Sequence, residues 1–356
     1  MALASSIIAA NKEERTSAVL FTHNAAPYVG AGLWTKENGF GTKLADPTSS
    51  ETVGAGTINP NAARNAFITG LNGGSTFLAA YKFNASTGGF GTKYSNPASL
   101  PGSSTDISPV FNPSDSIVVA GSGVTPYVYA YPWSNTNGFG TKYANPSTLV
   151  TTPTRALNFN SAGTALFFSG QGQSGRARAY KWSAAGWGTK YTDSSIAGGT
   201  NTIMIQGNTA NTAVFVSADN TPGQAAWPWN DVTGFGTIYT TISPVPAASA
   251  NGRACVDKNM RKYICGSNTT PFIYSYRWNN TTGWGSRYTA PTAATGQIAT
   301  TSISPDGASI LGTMVPSPYV QAYIWLDDNQ GWGAKYAGPT GYNSIGTTGF
   351  SSITFI

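Results

Sequence analysis

The sequence predicts an all-β fold, a single seven-bladed β-propeller of four-stranded antiparallel blades, and three observations predict it. A ten-residue phrase, "NGFGTKYANP" at 137–146, returns as "NGFGTKLADP", "GGFGTKYSNP", "AGWGTKYTDS", "TGFGTIYTTI", "TGWGSRYTAP" and "QGWGAKYAGP". The first glycines of these copies, Gly39, Gly89, Gly138, Gly186, Gly234, Gly283 and Gly331, follow one another at 50, 49, 48, 48, 49 and 48 residues. A fixed period of that length marks a repeat architecture. Strand-length runs bounded by Gly, Pro, Asn and Asp fill each period, and nothing outside the first dozen residues has a helical period.

In the last complete unit the first strand is "ATTSIS", and "PDG" turns the chain into "ASILGTMV". "PSP" makes the second turn, "YVQAYIW" is the third strand, and "LDDNQ" leads into the outermost strand, "GWGAKYA". The third strand explains why the units must assemble. In "PFIYSYRW", Phe272, Tyr274, Tyr276 and Trp278 alternate onto one face, with Ile273, Ser275 and Arg277 on the other. The ring at Trp278 recurs as Trp34, Phe83, Trp133, Trp182, Trp229 and Trp325. A lone four-stranded sheet cannot hide such a face; sheets stacked around an axis can.

Ring closure follows from register. The tail "FSSITFI" lies as far beyond Gly331 as the inner strand "SISPDGA" lies beyond Gly283. The C-terminal strand is therefore expected to join the N-terminal blade, beside "SAVLFTH", although "SSIIAAN" competes for the same place. Residues 1–14 then form an N-terminal arm or inner strand, and 15–356 the propeller. In "GFGTKYA" the aromatic, Thr and Tyr alternate onto one face and Gly and Lys onto the other, so the phrase reads as a building block rather than a ligand cradle.

Charged residues make up only 10% of the chain, with Ser, Thr, Asn and Gly in the polar positions. That is well below the ~25% of an average soluble protein. "MALASSIIAANKEER" lacks the basic start and apolar core of a secretory signal, and no apolar run suits a membrane span. The motif's G-x-G is followed by no helix, which argues against a phosphate loop. The repeated cation, Lys43, Lys93, Lys142, Lys190, Arg287 and Lys335, makes a basic rim that reads as charge protecting an exposed outer strand. A ring of single charges is not the clustered footprint of a nucleic-acid binder.

A single histidine, His23, and four glutamates leave little for acid–base chemistry. Cys255 and Cys265 flank a turn-like "DKNMR", a spacing that lets them face each other across a hairpin and leaves a disulfide open; they read as buried thiols, and no zinc set forms around them. No cofactor and no metal are expected. The loops between second and third strands carry Tyr28, Phe77, Tyr127, Phe272 and Tyr319 on one face. Aromatics beside hydroxyl-rich loops can stack on sugar rings, and they can equally begin the third strand as packing residues.

The units "TPYVYAYPWSNTNGFGTKYANPSTL" and "SISPDGASILGTMVPSPYVQAYIW" resemble the WD40-like propeller repeats of tailed-bacteriophage and marine viral proteins, over nearly the whole chain. Trp-Asp endings and Gly-His pairs do not recur, so the regulatory scaffolds of true WD40 proteins are not implied. The resemblance implies a virion- or tail-associated component. The expectation is a non-enzymatic structural or adhesive phage protein, in a tail, a fibre or a capsid decoration. It would be made in the host cytoplasm and become extracellular after lysis. Its partners would be other virion proteins and a host surface glycan, with homo-oligomers admitted and neither nucleic acid nor membrane insertion involved. A carbohydrate-binding propeller lectin is the alternative.

Overall fold

The computed structural model describes residues 17–23, 26–49, 51, 53–73, 76–84, 89–102, 108–170, 177–195, 202–218, 223–244, 254–257, 261–292, 294–315, 320–339 and 350–356. They form seven four-stranded antiparallel sheets and no helix, arranged as a seven-bladed propeller. The blades are numbered here in chain order by their third strands. Blade 1 is closed by the C-terminal strand: Phe350–Phe355 lies innermost, followed outward by Ser17–His23, Val29–Thr35 and Gly39–Lys43. Ala18 and Ile356 exchange backbone hydrogen bonds at 2.8 and 3.2 Å. The inner position thus belongs to the chain's end, and residues 1–14 lie outside the described residues.

Second strands are buried on both faces, as in Ala66–Leu71, Ala165–Gly170 and Ala213–Ala218, because blades cover them from either side. The core runs through the seams between blades as a chain of edge-on aromatic contacts. Trp34 meets Phe40 of its own blade and Tyr336 of blade 7, both at 5.0 Å. Trp133 meets Tyr94, Trp229 meets Tyr191 and Trp278 meets Tyr239 in the same way. Each such pair adds about 0.5–1.5 kcal/mol beyond burial.

The repeated phrase is the outer strand, with one correction to its faces. Trp34 pairs with Phe40 but Gly32 pairs with Lys43, so the outer strand carries one extra residue. The same β-bulge recurs in blades 2, 4, 6 and 7. A bulge resets the alternation. The motif's aromatic and its cation therefore share a face toward the preceding blade, and its tyrosine turns to the following one. There the tyrosine lies on the next copy's first glycine: a Cβ on Gly283 would come 2.6 Å from the Tyr239 ring, and Gly283 has φ +81°. All seven of these glycines take positive φ, a conformation that costs other residues about 1–2 kcal/mol.

The tyrosine hydroxyl then latches the seam. Tyr94, Tyr191, Tyr239, Tyr288 and Tyr336 donate to the carbonyls of Asn135, Asp231, Asn280, Asp328 and Lys36 in the next blade, at 2.6–3.1 Å. In the first copy Leu44 replaces the tyrosine and packs on Gly89 without a hydroxyl. The third-strand tyrosines bind the connectors instead. Tyr131 donates to Ser99 O at 2.5 Å and Tyr276 to Pro244 O at 2.7 Å.

Candidate functional site

One end of each inner strand is fixed by a polar turn. The side-chain Oδ1 of Asn61, Asn112, Asn160 and Asn208 accepts the backbone N–H groups four and five residues on, at 2.6–3.0 Å. Asp257 does the same in blade 6. These Asx turns satisfy backbone donors and set the entry to the second strand. Their backbone N–H groups bond the carbonyl five residues ahead, as Ile356 bonds Ala18 in blade 1, which fixes equivalent heights in all seven blades.

Two residues before each turn stands one side chain per blade: Asn59, Val110, Asn158, Gln206, Cys255, Ser302 and Thr354. All seven line a central cavity of about 290 Å³. Most of this ring ties neighbouring inner strands together. Asn59 Nδ2 donates to Pro109 O at 2.7 Å, and Cys255 Sγ to Thr301 Oγ1 at 3.3 Å. Gln206 Oε1 accepts from Val256 N at 3.4 Å, and Ser302 Oγ from Phe355 N at 3.3 Å. Beyond the ring, the channel opens into a recess of about 440 Å³ bordered by Arg64, Asn112 and Asn160, and a smaller one of about 180 Å³ beside Asp257.

The chemistry available in the channel is neutral hydrogen bonding. Among the described residues, no carboxylate or imidazole lines the cavity, and no group of three or more His, Cys, Asp or Glu is placed to hold a metal ion. Burial pushes the Cys255 thiol up to about 12, so almost no thiolate nucleophile exists at neutral pH. Nor do the two cysteines face each other. Cys255 pairs with Ile264, which turns the next residue, Cys265, to the opposite face, and both thiols are free.

The loop aromatics do not converge. Tyr28, Phe77, Tyr127 and Phe272 are half-buried, one to a blade, and pack on four separate core clusters. Their backbones are left-handed, with φ of 52–65°. The carbonyls of Tyr127 and Phe272 accept from Ser122 and Ser267 at 2.9 and 2.7 Å, closing their hairpins. None of the four lines the channel or its two recesses; Tyr319 lies outside the described residues.

The basic rim is largely occupied. Lys43 pairs with Asp46 at 2.7 Å, Lys93 with Glu51 at 2.5 Å and Lys190 with Asp193 at 2.6 Å. Lys142 donates to Asn145 Oδ1 at 2.7 Å, and Arg287 lies 5.5 Å from the Tyr274 ring centroid. Burial pulls Lys142 and Lys335 below the ordinary lysine value. The channel ring, not foreseen from the sequence, changes residue type from blade to blade. Its signal was the recurring Asn that stands two positions after it.

The sequence matches no protein-family model and no curated protein. The fold has many relatives among solved structures. A candidate 6-phosphogluconolactonase of Bacteroides fragilis superposes with a TM-score of 0.76 at 11% identity, covering 97% of this chain and 99% of that one. The periplasmic gluconolactonase of Pseudomonas aeruginosa gives 0.72 at 9%, covering 96% and 99%. The propeller domain of Swd1 from Myceliophteria thermophila gives 0.62 at 9%, covering 86% and 96%.

Likeness at this identity establishes the propeller fold alone. The expectation of a non-enzymatic phage component is corrected here: two of these three fold relatives carry lactonase names and none is a virus protein. The composition that suggested a virion has a local cause. Asx turns and hairpin loops in every blade demand Asn, Ser, Thr and Gly, whatever the particle or cell.

Proposed function

We propose that the protein holds a small, uncharged, hydroxylated lactone in its central channel and opens the ring with water. The observation that carries this reading is the ring of amide and hydroxyl side chains around a cavity of about 290 Å³. Such a lining offers donors and acceptors without fixed charge, which suits a ligand recognised by hydrogen bonds. The lactonase names of two fold relatives support the choice of a lactone by analogy.

In the reaction, the water oxygen bonds to the carbonyl carbon and the acyl C–O bond of the ring breaks. One water proton passes to the departing ring oxygen, and the other is released as the new acid ionises. An amide N–H donated to the carbonyl oxygen stabilises the charge that develops there, and one such donor is worth about 10²–10³ in rate. With no side-chain base lining the described channel, the rate should climb with hydroxide rather than follow a bell. Arg64 borders the recess outside the channel, so an uncharged lactone suits the channel itself better than a phosphorylated one.

The test is acid release from δ-gluconolactone and from its 6-phosphate, followed in a pH-stat against the spontaneous rate. Acceleration of the uncharged lactone supports the reading. Neither acceleration nor thermal stabilisation by the lactone would sink it. Stabilisation without acceleration would keep the binding half of the reading and overturn the hydrolytic half.

A further inference from the structure

The seven-membered channel ring is symmetric in position but not in what its members do. Asn59, Gln206, Cys255 and Ser302 each bond to the next inner strand. Thr354 Oγ1 bonds the neighbouring Phe355 carbonyl at 3.3 Å, and Val110 is apolar. Asn158 differs: its side chain bonds to no described residue, and it lines both the channel and the larger recess. Gln206, at the same height on the adjacent blade, spends its oxygen on Val256 N and borders the channel and the smaller recess.

A half-exposed amide on the path between channel and recess presents a donor and an acceptor side by side. A lactone bearing a hydroxyl on the carbon next to its carbonyl presents the complement. The carbonyl oxygen accepts from Nδ2, and the hydroxyl donates to Oδ1. We propose that Asn158 orients the substrate in this way and makes the site selective for 2-hydroxylated lactones; this rests on the lactone reading above.

The experiment compares kcat/KM for δ-gluconolactone and its 2-deoxy analogue in wild type, Asn158→Ala and Asn59→Ala, with melting temperatures alongside. Wild type should prefer the hydroxylated lactone by about tenfold, the worth of one good hydrogen bond. Asn158→Ala should erase that preference with little change in melting. Asn59→Ala, which loses an interblade bond, should melt lower and keep the preference. A preference that survives Asn158→Ala overturns the assignment while the lactone reading stands. A wild type that neither binds nor opens either lactone overturns both.

Discussion

At the seam between blades 5 and 6, Asn208 caps its own turn with Oδ1 and reaches Asn280 Oδ1 in the next blade with Nδ2, at 3.2 Å. Asn280 in turn accepts the indole N–H of Trp278 at 2.8 Å. At the seam between blades 6 and 7, the capping residue is Asp257, which has no N–H to offer across. Lys262, standing where the amide seam has Ala213, supplies the donor: Nζ lies 3.2 Å from Asp257 and 3.8 Å from Asp328. It also sits 4.9 Å from the Trp325 ring centroid, whose indole N–H has no partner in the described structure. The two seams keep one geometry, a polar turn tied to the next blade's outer loop, and move the donor from an amide to an ammonium. The difference is in what happens when one member is lost. An amide seam degrades one bond at a time, whereas Asp257 and Lys262, both nearly fully buried, work only as a pair.

The largest expected effect should not distinguish the seams. Burial pushes Tyr288 up to about 12 and raises Tyr94, Tyr191 and Tyr239 as well. A raised phenol favours the neutral form in the fold. Its contribution is complete below the unfolded value near 10 and is lost as pH climbs toward 12. Circular dichroism should show one cooperative loss of sheet between those values. Separate steps would mean that the seams open independently.

Lys262→Ala should separate them. It leaves the Asp257 charge buried with only its two backbone donors, at a cost of about 3 kcal/mol. Asn208→Ala removes neutral bonds at a cost of about 1–3 kcal/mol. Urea denaturation of the two variants measures the gap, and equal losses would show that the charge adds nothing. Next in size, Gly283→Ala and Gly331→Ala should each cost about 2 kcal/mol. Both glycines are left-handed and lie under a tyrosine ring, so seam chemistry should not matter, and a marked inequality would break that equivalence. Tyr239→Phe should cost about 1 kcal/mol. Tyr288→Phe should cost less, its hydrogen bond being 3.1 Å rather than 2.8 Å.

Period, blade number and closing strand were legible in the sequence because each rests on recurrence: glycine spacing, a ring at one height, and a tail in register. The bulge was not. Gly-Thr-Lys contains no apolar residue to betray which face it takes, so an extra residue leaves a period-two reading undisturbed. The charged latch was hidden for the opposite reason, since Asp257 and Lys262 break the recurring Asn and Ala and look like noise until the pairing brings them together. The channel ring holds Asn, Val, Gln, Cys, Ser and Thr, and position alone unites them. Repeated scaffolding writes itself in repeated residues, whereas a single site on the axis needs each blade to differ.

The smallest expected effect bears hardest on the comparison. Asp257→Asn with Lys262→Ala rewrites the charged seam in the amide pattern, returning an N–H to the turn residue and an alanine to the second strand. The introduced amide would then face Asp328, as Asn160 Nδ2 faces Asp231 at 3.0 Å between blades 4 and 5. If the two seams are one device in two chemistries, the double variant should lie within about 1 kcal/mol of wild type, although Lys262→Ala alone loses about 3. A double variant as unstable as the single one would mean that Lys262 acts through Trp325 rather than through Asp257. In that case, Trp325→Phe should weaken wild type and leave the double variant unchanged.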